Sequence, residues 1–187
     1  MDKIYLDHNA TTPIAPEVLH IVTSVLRDQV GNPSSVHSMG RSARVLLDEA
    51  REQVASLIGA SPSEIVFTSG GTEANNLALL GVALGMGKSG GHIVTSQVEH
   101  PSVLNPCKQL ESLGFVVDRL KVDKLGRIDL QALENCLTEA TLLVSLQHAN
   151  SETGVLQDIV KIGEIARKTP VSLLDRKSTR LNSSHAN

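Results

Sequence analysis

An α/β fold with a mainly parallel sheet and helices on both faces is the architecture this 187-residue sequence predicts. From residue 64 onward, short strand-like runs alternate with segments of helical apolar spacing, as in repeated crossover units. The runs are rich in Val, Ile and Leu, and no internal repeat or low-complexity linker interrupts them.

Taken in order, the first sixty residues read as an N-terminal arm and two helices, over 16–30 and 40–58, around the polar loop "VGNPSSVHSMGRSAR". The strand-like "EIVFTS" then leads into a helix over 72–84, and "HIVTSQV" into one over 101–113. "FVVDRLKV" precedes a helix over 129–137, "LLVSLQHA" one over 158–168, and "PVSLL" closes the series. Residues 61–174 are thus expected to form a partial large domain, cut before its sheet is complete. Ligands of such sheets gather at the carboxyl ends of the strands, here residues 69–72, 99–100 and 148–154.

Composition narrows the function. Hydrophobic content of 41% and charged content of 20% are those of an ordinary globular protein, and 2% aromatics leave the core to Leu, Val, Ile and Ala. A net charge of −3 offers no basic patch for nucleic acid. No signal-peptide core or bilayer-length run is present, so a soluble, cytoplasmic protein without a membrane partner is expected. Cys107 and Cys136 fall in separate predicted helices without CxxC spacing, which predicts small core residues and no disulfide. The seven histidines show no metal-ligand spacing, so no metal is expected.

Three constellations carry chemistry. In "FTSGGTEANN", Gly71 and Thr72 begin a helix, where unpaired N–H groups and the positive end of the dipole favour an anion such as a phosphate. The same residues also make an ordinary capped helix, with Glu73 complementing the dipole. In "VEHPSVL", His100 ends a strand and is held extended by Pro101, so its ring can stack on a planar ligand or move protons. A histidine that merely fills a loop is the plainer reading. In "HANSETGVLQDI", the Asn150 amide can donate to a phenolate or carboxylate, or can serve turn geometry alone.

With "YLDHNATTP" and "GNPSSVHSMGRSAR" preceding them, these motifs resemble, in order, those of the cysteine desulfurases, class V pyridoxal-phosphate enzymes of the aminotransferase-like fold. The resemblance covers residues 4–174. It implies pyridoxal 5′-phosphate as cofactor, with Gly71 and Thr72 at its phosphate, His100 stacked on its ring and able to help move protons, and Asn150 near its phenolic oxygen. The arm from Asn9 to Thr12 resembles the segment lining the active-site mouth. Ser151 departs from the family's frequent Asn-Asn-Glu. The implied reaction converts L-cysteine to L-alanine and transfers sulfur to an enzyme cysteine as a persulfide. That persulfide feeds iron–sulfur cluster assembly or thiolation through a sulfur-acceptor or scaffold protein. The implied assembly is a homodimer.

The family's Schiff-base lysine and persulfide cysteine lie beyond the matched stretch, so the chain alone is expected to be inactive. Residues 175–187, "DRKSTRLNSSHAN", lack apolar periodicity and resemble the translation of a sequencing adapter, so they are expected to be a non-native tail. Two other readings stay open: a selenocysteine lyase of the same fold, and a non-catalytic truncated paralogue acting as a dimerisation module.

Overall fold

The computed structural model describes residues 4–8, 10–86, 90–169 and 172–176. The chain divides into two units, the first running to Phe67 and the second starting at Thr68. In the first, helix α1 (Pro16–Asp28) starts on a proline, which lacks the N–H that an N1 residue would leave unpaired. Glu17 in its first turn and Arg27 in its last suit the helix dipole. Helix α2 (Ser38–Ile58) begins where the His37 ring accepts the Gly40 N–H and ends at Gly59, whose φ of 67° is the left-handed cap that glycine adopts without strain. Gly40 is required for another reason: a Cβ there would stand 2.3 Å from the Ser35 carbonyl oxygen. Ahead of α1, the Tyr5 hydroxyl lies 3.1 Å from the carbonyl oxygens of Asp7 and Thr11. Asn9 lies outside the described residues.

The expected strand "EIVFTS" is not one. Pro62–Glu64 forms a 3-10 turn closed by a reciprocal cap between Ser61 and Glu64. The stretch after it finds no ladder partner among the described residues. Arg51 of α2 instead donates to the Ile65 carbonyl, and its guanidinium lies 5.0 Å from the Phe67 ring centroid. A β-branched run makes a strand only when another strand pairs with it.

The second unit opens with α3 (Gly71–Gly85) and then alternates: β1 (His92–Ser96), α4 (Pro101–Ser112), β2 (Val116–Leu120), α5 (Leu130–Cys136), β3 (Thr141–Gln147), α6 (Ile159–Ala166) and β4 (Ser172–Arg176). The four strands form one sheet in the order β2-β1-β3-β4, and every pairing is parallel. β4 continues through Asp175 and Arg176, in register with Leu146 and Gln147, two residues into the expected tail. Backbone pairing along β3 supports those two residues without any apolar periodicity of their own. Residues 177–187 lie outside the described residues.

Helices cover both faces of the sheet. Ile93 and Leu143 pack with Leu79 and Ala83 of α3 and with Val103, Cys107 and Leu110 of α4. Their chain neighbours Val94 and Val144 point the other way, toward Leu133 of α5 and Ile162 and Ile165 of α6. Every residue of β1 and of β3 is buried, as in a parallel sheet covered on both faces, although only Ile93 and Val94 of β1 are apolar. Cys107 sits in the first core layer, where burial pushes its thiol up to about 11, so it is neutral packing and not a nucleophile. Cys136 is likewise raised by burial, and its thiol faces the Leu133 carbonyl.

At the amino ends of the strands, the buried His92 ring lies 2.8 Å from the Thr141 hydroxyl and 3.2 Å from the Asp118 carboxylate, clasping β1 to both neighbours. At the other end the topology changes direction. From β1 the chain crosses first to β2 on one side, and β3 lies on the other. The carboxyl ends of β1 and β3 therefore flank a switch point, where doubly wound sheets leave a crevice for ligands.

Candidate functional site

His100 follows β1 and caps α4. Pro101 has no N–H to offer, so the first donor of the helix is that of Ser102, and the His100 Nδ1 accepts it at 3.0 Å. The Ser102 hydroxyl lies 2.9 Å from the same nitrogen and accepts from the Asn75 amide at 2.8 Å. Asn75 and Ser102 are buried, whereas the His100 ring is exposed.

Across from it, α3 starts at Gly71. The Ser69 hydroxyl and N–H both donate to the Glu73 carboxylate, at 2.7 and 2.6 Å, which holds that carboxyl below the usual carboxylate range. Asn76 donates back to the Thr72 carbonyl at 2.8 Å. The Ser69–Glu73 cap thus lies ahead of the helix and leaves the N–H groups of its first turn without an acceptor among the described residues. Nothing lies within 4 Å of where a Cβ would stand on Gly70 or Gly71, so an anion can reach these donors without meeting a side chain.

A cleft of about 340 Å³ joins the two elements, lined by Thr72, Asn76, His100, Ser102, Asn105 and Gln109 among others. The structure thus brings Thr72 and His100 to one cleft, with Gly71 one residue from its wall. Asn150 does not line it. Its amide nitrogen donates to the Val98 carbonyl at 3.2 Å, and its Oδ1 accepts the N–H groups of Glu152 and Thr153 at 2.8 and 3.0 Å. Here the turn role of this asparagine is the one the geometry displays, and it ties the end of β3 to the segment that carries His100.

Glu99 lies within the 99–100 strand end that the sequence marks for a ligand, but no role is expected of it there, and the structure buries its carboxylate beside His100. Glu99 accepts the Gln147 N–H at 2.5 Å, and Gln147 in turn donates to the Val98 carbonyl at 2.8 Å. Together with Asn150 these bonds lock the carboxyl ends of β1 and β3 together. The one available sequence signal was an acidic residue directly ahead of His100.

Among the described residues no group of three or more His, Cys, Asp or Glu side chains is placed to hold a metal, and no helix is long and apolar enough to cross a membrane.

Known proteins resemble this chain in sequence and fold. A cysteine desulfurase IscS of Dictyoglomus turgidum is 46% identical over 166 residues, which are 89% of this chain and 42% of that protein. Among solved structures, a NifS-like protein superposes with a TM-score of 0.84 at 39% identity, over 92% of this chain and 48% of its own. A structure described as SspA in complex with cysteine gives a TM-score of 0.81 at 40% identity, over 90% and 49%. The chain thus spans less than half the length of each of these relatives. The family model "Aminotransferase class-V" matches residues 4–179, and the chain belongs to that family.

Proposed function

We propose that this chain carries part of the cofactor site of a cysteine desulfurase, a pyridoxal-phosphate enzyme that converts L-cysteine to L-alanine and passes the sulfur to a cysteine of its own as a persulfide. The observation that supports this best is the cleft that Thr72 shares with His100, beside the unpaired N–H groups of α3. The residues fit the cofactor. Gly71 and Thr72 would hold the phosphate through backbone N–H groups and the threonine hydroxyl, where the helix dipole favours its charge. His100, exposed and pinned at Nδ1, would lie against the pyridine ring. Asn150 would act by fixing the end of β3, its second amide hydrogen remaining for an oxygen of the cofactor.

Bound there, pyridoxal 5′-phosphate supplies an electron-withdrawing ring that makes the bonds around a substrate α-carbon easier to break. This chain's residues bind the phosphate, orient the ring and shield one side of it. The covalent steps on cysteine belong to the whole protein, with its lysine and persulfide cysteine, its homodimeric assembly, its cytoplasmic location and its sulfur acceptor. Cysteine as substrate is supported by the desulfurase relatives and by the cysteine complex of SspA.

Binding to the 187-residue chain tests the reading. Pyridoxal 5′-phosphate is expected to bind at least about tenfold more tightly than pyridoxal, because only the former carries the dianion. Thr72→Val is expected to remove most of that preference. Equal affinity for the two compounds would contradict the proposed phosphate cradle.

A further inference from the structure

Asn75 of α3 and Ser102 of α4 are buried polar residues joined across two helices. Their bonds have a direction that can be worked out. A backbone N–H can only donate, so the Ser102 N–H, 3.0 Å from His100 Nδ1, makes that nitrogen an acceptor. The Ser102 hydroxyl, 2.9 Å from the same lone pair, must then donate to it as well. Its one hydrogen is spent, and it can only accept from Asn75. Asn75 must therefore present its NH₂ and not its carbonyl, at 2.8 Å. Every polarity in the chain follows from one group that cannot be reversed.

We propose that Asn75 and Ser102 are positioning residues for His100: the one-way chain Asn75 to Ser102 to Nδ1 holds the imidazole in the tautomer with its hydrogen on Nε2, and fixes the ring plane in the cleft. The two donors on Nδ1 oppose a flip of the ring, since turning it over would set a carbon against both. Nε2 has no hydrogen-bond partner among the described residues, so its N–H is the group the ring offers to a ligand. The chain also couples α3, whose first turn carries Thr72, to the start of α4. A shift of one helix would then be felt by the ring on the other. The meaning of this device for catalysis rests on the proposed function, but the tautomer itself does not.

The test uses the 187-residue chain labelled with ¹⁵N-histidine, with His100 assigned by its loss in His100→Gln. Two-bond proton–nitrogen spectra report which ring nitrogen carries the hydrogen. In the wild-type chain the hydrogen is expected on Nε2. Ser102→Ala leaves the backbone N–H and removes the hydroxyl, and is expected to move the tautomer ratio by about fivefold toward Nδ1–H. Ser102→Thr, which keeps a hydroxyl, is expected to restore it. Asn75→Asp cannot donate and would draw the hydroxyl hydrogen to itself, so a shift in the same direction is expected. A wild-type ring with its hydrogen on Nδ1, or folded variants that leave the ratio unchanged, would overturn the proposal. Pyridoxal 5′-phosphate binding is measured in parallel. Nε2–H without preference for the phosphate sinks the proposed function and upholds the chain, whereas Nδ1–H with that preference does the reverse.

Discussion

Both units of the molecule contain amphipathic helices, but only one of them buries what its helices present. No residue of α1 is buried, and in α2 only Gly40 and Ala55 are. Leu26 of α1 is 79% exposed, while Leu79 of α3 and Leu133 of α5 are fully covered. The apolar spacing of α6 in the second unit is as clear as that of α1 in the first. Periodicity in a sequence says that a face is meant to be covered, and the surrounding structure decides whether it is. In the second unit a parallel sheet supplies two faces for four helices. In the first, order rests on caps and close approaches: the His37 cap, Gly40 against the loop, and Arg51 on Ile65 and Phe67.

Truncating one leucine in each unit separates the two most sharply. Leu79→Ala is expected to cost about 2–5 kcal/mol, through lost burial and a cavity between α3 and the sheet. Leu26→Ala in α1 is expected to cost under about 0.5 kcal/mol. Denaturant titration of both variants measures the difference, and equal costs would show that the first unit hides a core of its own.

A substitution in the first unit can still be severe where backbone meets backbone. Gly40→Ala would press its Cβ to 2.3 Å from the Ser35 carbonyl oxygen and 2.8 Å from that of Asn32, neither of which is a side chain that can swing aside. About 1–3 kcal/mol is expected, read as faster amide exchange at the start of α2.

The smallest effect concerns the cap of α3. Hydrogen bonds from Ser69 hold the Glu73 carboxyl below its usual range, so the folded state binds its proton less readily than the unfolded one. The resulting stabilisation is complete above the unfolded carboxylate range, near about pH 4.3, and fades as pH falls through the lower folded value. Glu73→Gln is therefore expected to lower the melting temperature slightly at neutral pH, and the gap between the two proteins is expected to close in acid. A gap that stays constant with pH would assign Glu73 no charge-dependent role.

Much of the second unit was legible in the sequence because its signals are local. Strand runs, helix periods and the proline after His100 each act within a few residues, and the parallel sheet with helices on both faces follows from their alternation. What escaped depends on distant partners. "EIVFTS" has the composition of a strand but no ladder to join among the described residues. β4 outruns its own apolar pattern because β3 offers further backbone to pair with. At the site, Thr72 and His100 were readable from turn chemistry and reach a common cleft. Asn150 was readable only as an amide, and its spending on Val98 and the following turn needed coordinates. The Asn75–Ser102 pair, 27 residues apart, leaves no local pattern at all.

In the proposed site Thr72 and His100 meet one ligand. Nuclear Overhauser contacts from the protons of added pyridoxal 5′-phosphate test this most directly. Cross-peaks to both the Thr72 methyl and the His100 ring protons are the expected result. A bound ligand that contacts only one of the two, or neither, would contradict it.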